Sequence, residues 1–332
     1  MTTAPLISIV IPLYNKESVI ARTISSIESQ TYRHYEIIVV DDGSTDNSVS
    51  IVKDIMKVNN KIVLLSQSNA GPGRARNLGL ASAKGELISF LDADDEYMPS
   101  FLQTAVECFS ANSNINIFAS AHYCTVQGEA KSFADYFLAY DIPIGQFDIS
   151  NCANAYCLLG LVWFHHSSSV VCQTEIVKKY GGYYDNKRSL HGEDSYLWLQ
   201  IILNETGYNH IDPLVWYHTE DSGLIGGGNL VKEMPAYLAD PAKLIAACPQ
   251  ASRALLDDLM AIFSLIFIYD TIDTNKAQLQ KLINAYPSMQ KTDDYNNGIC
   301  QYADYINEFE GNIRQSKLLK LLNGPKEKGP WH

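Results

Sequence analysis

Long apolar runs are missing from this 332-residue sequence, and so is any excess of positive charge. No run reaches the roughly 18 apolar residues that a membrane-spanning helix requires. The first residues also lack the basic and apolar stretches of a secretion signal. We therefore expect a cytoplasmic protein. The net charge is −12, whereas nucleic-acid binding relies on clustered lysine and arginine, so we expect no nucleic-acid partner.

Several common site motifs are absent as well. The seven cysteines form no C-x-x-C pair and have no histidines at zinc-finger spacing, which favours reduced, mostly buried thiols. No G-x-G-x-x-G follows the first expected strand, and no G-x-x-x-x-G-K-[ST] occurs anywhere. A zinc finger, a dinucleotide fingerprint and a P-loop are thereby excluded.

Strand-like and helical segments alternate in the first half of the sequence. Apolar, β-branched runs lie at Leu6–Ile11, Glu36–Val40, Lys61–Leu65 and Glu86–Leu91, with apolar residues at helical spacing between them. This order predicts an α/β fold, a mostly parallel central sheet with helices on both faces. Ligands of such sheets bind beyond the carboxyl ends of the strands, so we expect the site in the loops there.

The second half is less regular. Residues 128–166 are expected to form an insertion on the acceptor side of the site, irregular and rich in aromatic residues over 128–160. The sequence becomes helical from about residue 231. The candidate helices are Leu255–Tyr269, Lys276–Tyr286 and Ile299–Leu322. We expect a domain boundary near residue 230, which separates an α/β domain (1–230) from a helical C-terminal region (231–332).

An acidic cluster, Asp92-Ala93-Asp94-Asp95, follows the last of the four apolar strands. Carboxylates this close repel one another unless a cation lies among them. Mg²⁺ and Mn²⁺ prefer oxygen ligands and commonly bridge a carboxylate to a diphosphate. The alternative is a solvated loop that caps the next helix, but the position at a strand end favours a metal site.

Polar loops follow two other strands at the same expected edge. Asp42 could accept the N3–H of uracil, although Asp41–Ser44 is also a plausible turn with a helix cap. Pro12 and Tyr14 offer backbone groups and an aromatic face to a base or ribose. Arg76, near the start of a glycine-rich helix, suits a phosphate or a base edge.

Taken in order, these motifs resemble the family 2 glycosyltransferases, whose nucleotide-binding fold is called GT-A. The matching segments are Ser8–Asn15, Gln30-Thr31, Val39–Asp46, Gly73–Asn77, Gly85-Glu86, Leu91–Asp95, Gly181–Asp185 and Gly192–Asp194. The resemblance covers about residues 6–220. It implies that Tyr14 and Asp42 contact uridine with help from the Pro12 backbone, and that Arg76 holds the nucleotide.

The same resemblance assigns roles to the acidic cluster. It implies that Asp94 is the principal metal ligand, that Asp92 serves the ribose or the metal, and that Asp95 is a second ligand or a donor-sugar contact. His218, after the last strand, would be an extra metal ligand or a structural histidine. His166 and its neighbour His165 could line an acceptor pocket or be buried.

Glu193 and Asp194 resemble the catalytic acidic pair of the family, with Asp194 as the general base. Inverting transfer needs a base that takes the proton of the acceptor hydroxyl, and a carboxylate at a helix start is kept ionised by nearby amides. The alternative is that both residues only stabilise the start of the helix through a favourable interaction with its dipole.

The resemblance implies an inverting enzyme that uses Mn²⁺ or Mg²⁺ and a UDP-sugar. The Q-x-x-R-W motif and the membrane helices of processive relatives are absent, which favours addition of a single sugar to a glycan or lipid-linked glycan. Bacterial surface-polysaccharide synthesis, of O-antigen, capsule or lipooligosaccharide, is the expected setting. A sugar-phosphate nucleotidyltransferase and a non-catalytic nucleotide- or glycan-binding module are the alternatives.

The C-terminal segment 312–332 suggests one further partner. As a helix, Ile313–Leu322 would be apolar on one side and basic on the other, like helices that lie on an anionic membrane surface. Such a segment predicts peripheral contact with the inner face of the plasma membrane. Packing on the catalytic domain or on a second subunit of a homo-oligomer is the alternative.

Overall fold

The computed structural model describes residues 4–126, 129–186, 192–221 and 234–271. These residues form a ten-stranded sheet and the helices that pack on it. The strands are β1 (Ile7–Leu13), β2 (Tyr35–Asp41), β3 (Ile62–Ser66), β4 (Leu87–Phe90), β5 (Glu96–Tyr97), β6 (Ile117–Val126), β7 (Glu129–Ser132), β8 (Gly145–Phe147), β9 (Val170–Gln173) and β10 (Gly207–Tyr217). The α-helices are α1 (Ile20–Glu28), α2 (Ser48–Met56), α3 (Pro72–Ser82), α4 (Phe101–Ala111), α5 (Ala134–Leu138), α6 (Ala155–Phe164), α7 (Thr174–Lys179), α8 (Glu193–Ile202), α9 (Ala236–Ala239), α10 (Ala242–Ala247) and α11 (Arg253–Thr271).

The strand order along the sheet is β3-β2-β1-β4-β9-β6-β10-β5, with β7 added to β6 and β8 added to β10. Four of the seven neighbouring pairs on this path are parallel: β3–β2, β2–β1, β1–β4 and β6–β10. The expected mostly parallel α/β sheet is thus confirmed.

Alternate residues of the central strands enter two separate cores. Val10 of β1 joins the core under α3, α6 and α8, whereas Ile9 and Ile11 join the core under α1, α2 and α4. Both faces of β1 are therefore covered, which explains why its sequence is a continuous apolar run rather than an alternating one.

One edge of the sheet gathers chain segments from several strands. β6 and β10 run in the same direction as β1, β2 and β4, because β9 lies antiparallel between β4 and β6. The carboxyl ends of β1, β2, β4 and β10 consequently share an edge with the start of β9. The residues that follow β1, β2, β4 and β10, among them Tyr14, Asp42, Asp92–Asp95 and His218, lie at this edge.

The first strand extends beyond the predicted run Leu6–Ile11, because β1 continues through Leu13 and Pro12 pairs in register with Val40. On the β4 side, the amide of Leu91 donates to the carbonyl of Val10, and the pairing ends there. The missing N–H of Pro12 points to that side, beyond the last ladder bond, so the strand loses no hydrogen bond.

The expectation that 128–160 is irregular is wrong for its described part. Residues 129–166 contain β7, α5, β8, a 3₁₀ turn at Ile149–Asn151 and α6. Almost every residue of α6 is buried, so its sequence is apolar on all sides and shows no helical period.

The C-terminal helices confirm the expected helical extension as far as they are described. The predicted helix Leu255–Tyr269 corresponds to α11, which packs on α6, and Tyr237 of α9 contacts Phe263 of α11 with ring centroids 4.2 Å apart. None of the described helices combines the length and apolarity that crossing a membrane requires. The predicted boundary near residue 230 and the predicted helices Lys276–Tyr286 and Ile299–Leu322 lie outside the described residues.

Candidate active site

The acidic loop Asp92–Asp95 begins directly after β4, where the Leu91 amide is bonded to β1. The Asp95 amide donates to the Asp92 carbonyl at 3.0 Å, which folds the loop into a tight turn. As a result the three carboxylates lie at one strand end but face different neighbours. Asp92 is partly exposed, whereas Asp95 is fully buried.

Each carboxylate of the loop has its own partner. Arg76 donates to Asp92 Oδ1 at 2.6 Å, and Lys16 Nζ donates to Asp94 Oδ2 at 2.5 Å. The Ser168 hydroxyl donates to Asp95 Oδ2 at 2.5 Å, and the backbone amide of His218 donates to Asp95 Oδ1 at 3.1 Å.

These partners give the three acids different pKa values. Burial raises the pKa of Asp95 well above its usual range, and the charges of Asp92 and Asp94 raise it further. Burial and the charge of Asp92 also raise the pKa of Asp94. Burial opposes ionisation of Asp92 too, but Arg76 and His166 outweigh it and lower the pKa of Asp92. A divalent cation would relieve the repulsion that raises the other two.

One group of possible ligand atoms in the described residues has metal-site geometry. Oxygens of Asp92 and Asp95 and a ring nitrogen of His166 lie within 4.8 Å of one another. His166 Nδ1 is buried and has no hydrogen-bond partner. Carboxylate oxygen with imidazole nitrogen is a chemically sound donor set for a divalent transition metal such as Mn²⁺.

The two other predicted metal ligands point elsewhere. The carboxylate of Asp94 is bound to Lys16, and His218 Nε2 lies 2.8 Å from Glu96 Oε1. Their roles as ligands remain predictions. The sequence predicts that His166 lines an acceptor pocket or is buried. Its approach to Asp92 depends on the antiparallel pairing of β9 between β4 and β6, which the sequence pattern does not indicate.

Arg76 joins the acidic loop to helix α8. Its guanidinium is buried, donates to Asp92 at 2.6 Å and to Glu193 Oε1 at 2.8 Å, and lies 4.9 Å from the ring centroid of Tyr183. Burial disfavours its charge, but Asp92, Tyr183 and Glu193 outweigh this and raise the pKa of Arg76 further. Because the two terminal nitrogens of the guanidinium donate to different carboxylates, Arg76 bridges Asp92 and Glu193.

Helix α8 presents the predicted acidic pair. Gly192 precedes it with φ +77°, and a side chain there would meet the ring of Tyr237 at 2.7 Å, so glycine is required at this turn. Burial, followed by the charge of Asp194, raises the pKa of Glu193 to about 7 against the opposing effect of Arg76. Asp194 is half-buried and accepts a hydrogen bond from the Ser195 amide at 2.6 Å.

The start of α3 packs closely against this pair. A Cβ atom at Gly73 would lie 2.5 Å from the Tyr184 carbonyl and 3.3 Å from Glu193 Cγ. The glycine thus allows α3 to approach α8 closely enough for Arg76, one turn later, to reach Glu193.

The predicted nucleotide contacts lie at the neighbouring strand ends. Tyr14 is 44% exposed, and Pro12 is half-buried in β1. Asp42 is buried, and its carboxylate accepts hydrogen bonds from Gln67 Nε2, the Ala70 amide and the Gly71 amide at 2.8–2.9 Å. Asp42 therefore anchors the loop between β3 and α3, in addition to any contact with a base.

Two basic residues near the site were not singled out from the sequence. Lys16 Nζ donates to Asp94 and to the Asp221 carbonyl at 2.6 Å. Arg22 donates to the Asp94 carbonyl at 2.7 Å and to Asp221 Oδ2 at 2.8 Å. The loop after β1 and helix α1 thus surround Asp94 with positive charge.

Residues 8–155 match the family model described as "Glycosyl transferase family 2". The match covers just under half of the chain, 148 of its 332 residues, and shows a segment similar to family 2 glycosyltransferases. An uncharacterized glycosyltransferase of Haemophilus influenzae is 36% identical over 125 residues, 37% of this chain and 50% of the relative. A second from the same organism is 28% identical over 221 residues, 65% of this chain and 66% of the relative. Glycosyltransferase GlyG of Streptococcus pneumoniae is 42% identical over 100 residues, 30% of this chain and 33% of the relative.

Solved structures share the fold of this chain. The S. aureus TarS fragment 1–349 in complex with UDP aligns with a TM-score of 0.63 at 17% identity, over 97% of this chain and 93% of that fragment. The mannosyltransferase PcManGT from Pyrobaculum calidifontis, in complex with GDP-Man and Mn²⁺, aligns with a TM-score of 0.56 at 16% identity, over 98% of this chain and 89% of that one. The expected fold is confirmed, and the matches support the expected class of enzyme, a glycosyltransferase. The matches span a third to two thirds of the curated relatives' lengths.

Proposed function

We propose that this chain is a metal-dependent inverting glycosyltransferase that moves one sugar from a UDP-sugar to a hydroxyl group of a glycan or lipid-linked glycan. The observation that carries the proposal is the connection made by Arg76, which ties the acidic loop at Asp92 to the acidic pair at Glu193. A charge-stabilising centre and a base are thereby fixed relative to each other, as group transfer requires. Synthesis of a bacterial surface polysaccharide is the setting that we propose.

Mn²⁺ or Mg²⁺ is the proposed cofactor, with Asp92, Asp95 and His166 as the residues that would hold it and Asp94 beside them. A cation bound there would neutralise charge that develops on a diphosphate leaving group. The buried, unpartnered Nδ1 of His166 and the raised pKa of Asp95 support this assignment. The imidazole favours Mn²⁺, because Mg²⁺ prefers oxygen ligands.

Asp194 is the proposed general base. It is partly exposed, so an acceptor hydroxyl can approach it, and it lies at the start of α8, where backbone amides stabilise a negative charge. It would take the hydroxyl proton as the acceptor oxygen attacks the sugar from the face opposite the leaving group. Glu193, held by Arg76, would position this base rather than act on the substrate.

The nucleotide is proposed to lie over the ends of β1 and β2. Tyr14 has an exposed ring that a base can stack on. The Asp42 carboxylate has about four acceptor sites and uses three, which leaves one for the N3–H of uracil. TarS structures carry UDP and UDP-GlcNAc, which supports a uridine donor, whereas PcManGT carries GDP-Man.

A donor panel tests this proposal. The purified protein is incubated with UDP- and GDP-sugars and Mn²⁺, Mg²⁺ or a chelator, and release of the nucleoside diphosphate is measured. We expect slow UDP release from one UDP-sugar that requires a divalent ion and accelerates when a glycan acceptor is supplied. Release that is unchanged by the chelator would reject metal dependence.

The same experiment separates the alternative functions. When a sugar phosphate and UTP are added to the panel, formation of pyrophosphate would identify a nucleotidyltransferase. Metal-dependent binding of UDP without any turnover across the panel would identify a non-catalytic module.

A further inference from the structure

Two cysteines in the acceptor-side segment lie against each other. Cys152 Sγ and Cys157 Sγ are 3.0 Å apart, and both thiols are free. This separation is only about 1 Å longer than the ~2.05 Å of a disulfide bond. Neither residue takes part in the site described above, and their spacing in the sequence, C-x-x-x-x-C, matches no redox motif.

The backbone around the pair is held by side-chain caps. Asp148 and Asn151 close the 3₁₀ turn before Cys152 with reciprocal hydrogen bonds. The Asn154 side chain accepts from the amides of Tyr156 and Cys157 at 3.0 Å, which caps α6. The two sulfurs are therefore brought together by the fold of this turn rather than by a chance meeting of flexible side chains.

The two thiols differ in accessibility and acidity. Cys152 is half-buried, whereas Cys157 is 1% exposed. The hydrogen bond donated by Cys152 lowers the pKa of Cys157, and the same bond, with burial, raises the pKa of Cys152. Cys157 also lies in the first turn of α6, where helix amides stabilise a thiolate. One partner can thus meet an external reagent while the other is suited to resolve the product.

We propose that Cys152 and Cys157 form a redox-active dithiol, which closes reversibly to an intramolecular disulfide when it meets a low-molecular-weight disulfide such as oxidised glutathione. Cys157 starts as the thiolate; Cys152 attacks one sulfur of the reagent, its proton passes to the Cys157 thiolate, and the first small thiolate leaves. Cys157 then loses that proton to solvent and attacks Cys152, and the second small thiolate leaves. Two protein thiols are oxidised while one small disulfide is reduced to two thiols.

The position of the pair separates this chemistry from catalysis. Cys157 lies at the start of α6 and His166 follows its end, and a ten-residue helix is about 15 Å long. Oxidation would therefore crosslink the start of α6 to the turn before it, and no residue of the acidic loop would be modified.

The test treats the folded full-length protein with oxidised glutathione, blocks free thiols, and maps the products by peptide mass spectrometry. We expect a Cys152–Cys157 disulfide that dithiothreitol reverses. The buried Cys124 and Cys172 should escape oxidation and be recovered in their alkylated form. In Cys157→Ser, we expect the mixed disulfide with glutathione to accumulate on Cys152. In Cys152→Ser, we expect Cys157 to stay unmodified.

Two results would overturn the proposal. One is free Cys152 and Cys157 after oxidation of a protein whose circular dichroism is that of the untreated sample. The other is a stable glutathione adduct on Cys152 in the wild-type protein, because it would show that Cys157 cannot resolve it.

Discussion

Neighbours rather than residue type decide what each acid of the site can do. Asp92 and Glu193 share one buried arginine, yet the pKa of Asp92 is lowered and that of Glu193 is raised to about 7. Asp92 has Arg76 and His166 beside it and is partly exposed, whereas Glu193 is buried beside the like charge of Asp194. At neutral pH the pair Asp92–Arg76 is thus the ionised one, and Glu193 is close to half protonated.

Asp194→Asn should abolish transfer while leaving nucleotide binding unchanged. The amide keeps the shape of the side chain but cannot take a proton, and loss of a general base costs about 10²- to 10⁴-fold in rate. The measurement is kcat for UDP release with acceptor, alongside the Kd of UDP by calorimetry. Asp212→Asn, at a strand residue whose side chain is 76% exposed, is the matched control and should behave as wild type. Turnover of Asp194→Asn near that of the control would remove Asp194 from the role of base.

Glu193→Gln should change how stability depends on pH. A carboxyl group whose pKa is raised on folding stabilises the protein below its unfolded pKa, 4.5, and this contribution is lost as the pH rises through about 7. A pKa shift of this size corresponds to a contribution of roughly 3 kcal/mol to the free energy of unfolding. Urea unfolding of both proteins from about pH 4.5 to about pH 8 should therefore show wild type losing stability relative to the variant. Parallel pH profiles would mean that Glu193 titrates normally.

At the level of elements, the site depends on how closely α3 approaches α8. Gly73 sits where any side chain would collide with the Tyr184 carbonyl at 2.5 Å, a backbone atom that cannot rotate away. Arg76 lies one turn later on the same helix, so displacement of α3 would also pull the guanidinium away from Glu193.

Gly73→Ala should therefore destabilise the fold and weaken catalysis together. Overpacking lowers the free energy of unfolding by about 1–3 kcal/mol, while alanine in place of a helical glycine raises it by up to about 1 kcal/mol. The net effect is therefore destabilising. Urea unfolding and kcat measure the two effects. Arg74→Ala changes the adjacent exposed residue and should stay within about 0.5 kcal/mol of wild type. If Gly73→Ala were as stable as Arg74→Ala, the close packing of α3 would be of no consequence.

Elements with a local pattern were predictable from the sequence, whereas contacts across the sheet were not. The four parallel strands and the acidic loop follow from apolar runs and the residues that end them. The residues of β9 are strand-like, but nothing in their sequence indicates that β9 pairs antiparallel between β4 and β6. This long-range pairing is what brings Ser168 and His166 to Asp95. Helix α6 escaped prediction because it is apolar on every side.

At the scale of the whole molecule, charge is distributed unevenly along the chain. Segment 312–332, which lies outside the described residues, contains five basic residues and one acidic residue, so residues 1–311 carry a net charge of −16. An anionic membrane would repel most of the protein and attract this segment. Peripheral binding therefore depends on whether the local attraction exceeds the repulsion, which acts over about a Debye length.

Replacing Arg314, Lys317 and Lys320 with glutamine should release the protein from anionic vesicles. Each basic residue near such a surface contributes about 1 kcal/mol, so the triple variant should bind on the order of 100-fold more weakly. Co-sedimentation with vesicles that contain phosphatidylserine measures the effect, and neutral vesicles should show little binding by either protein. Lys57→Gln combined with Lys178→Gln removes exposed charges elsewhere and should leave binding unchanged. Because the rest of the chain is strongly acidic, equal sedimentation of the triple variant and wild type would mean that segment 312–332 does not hold the protein at the membrane, and would favour its packing against protein.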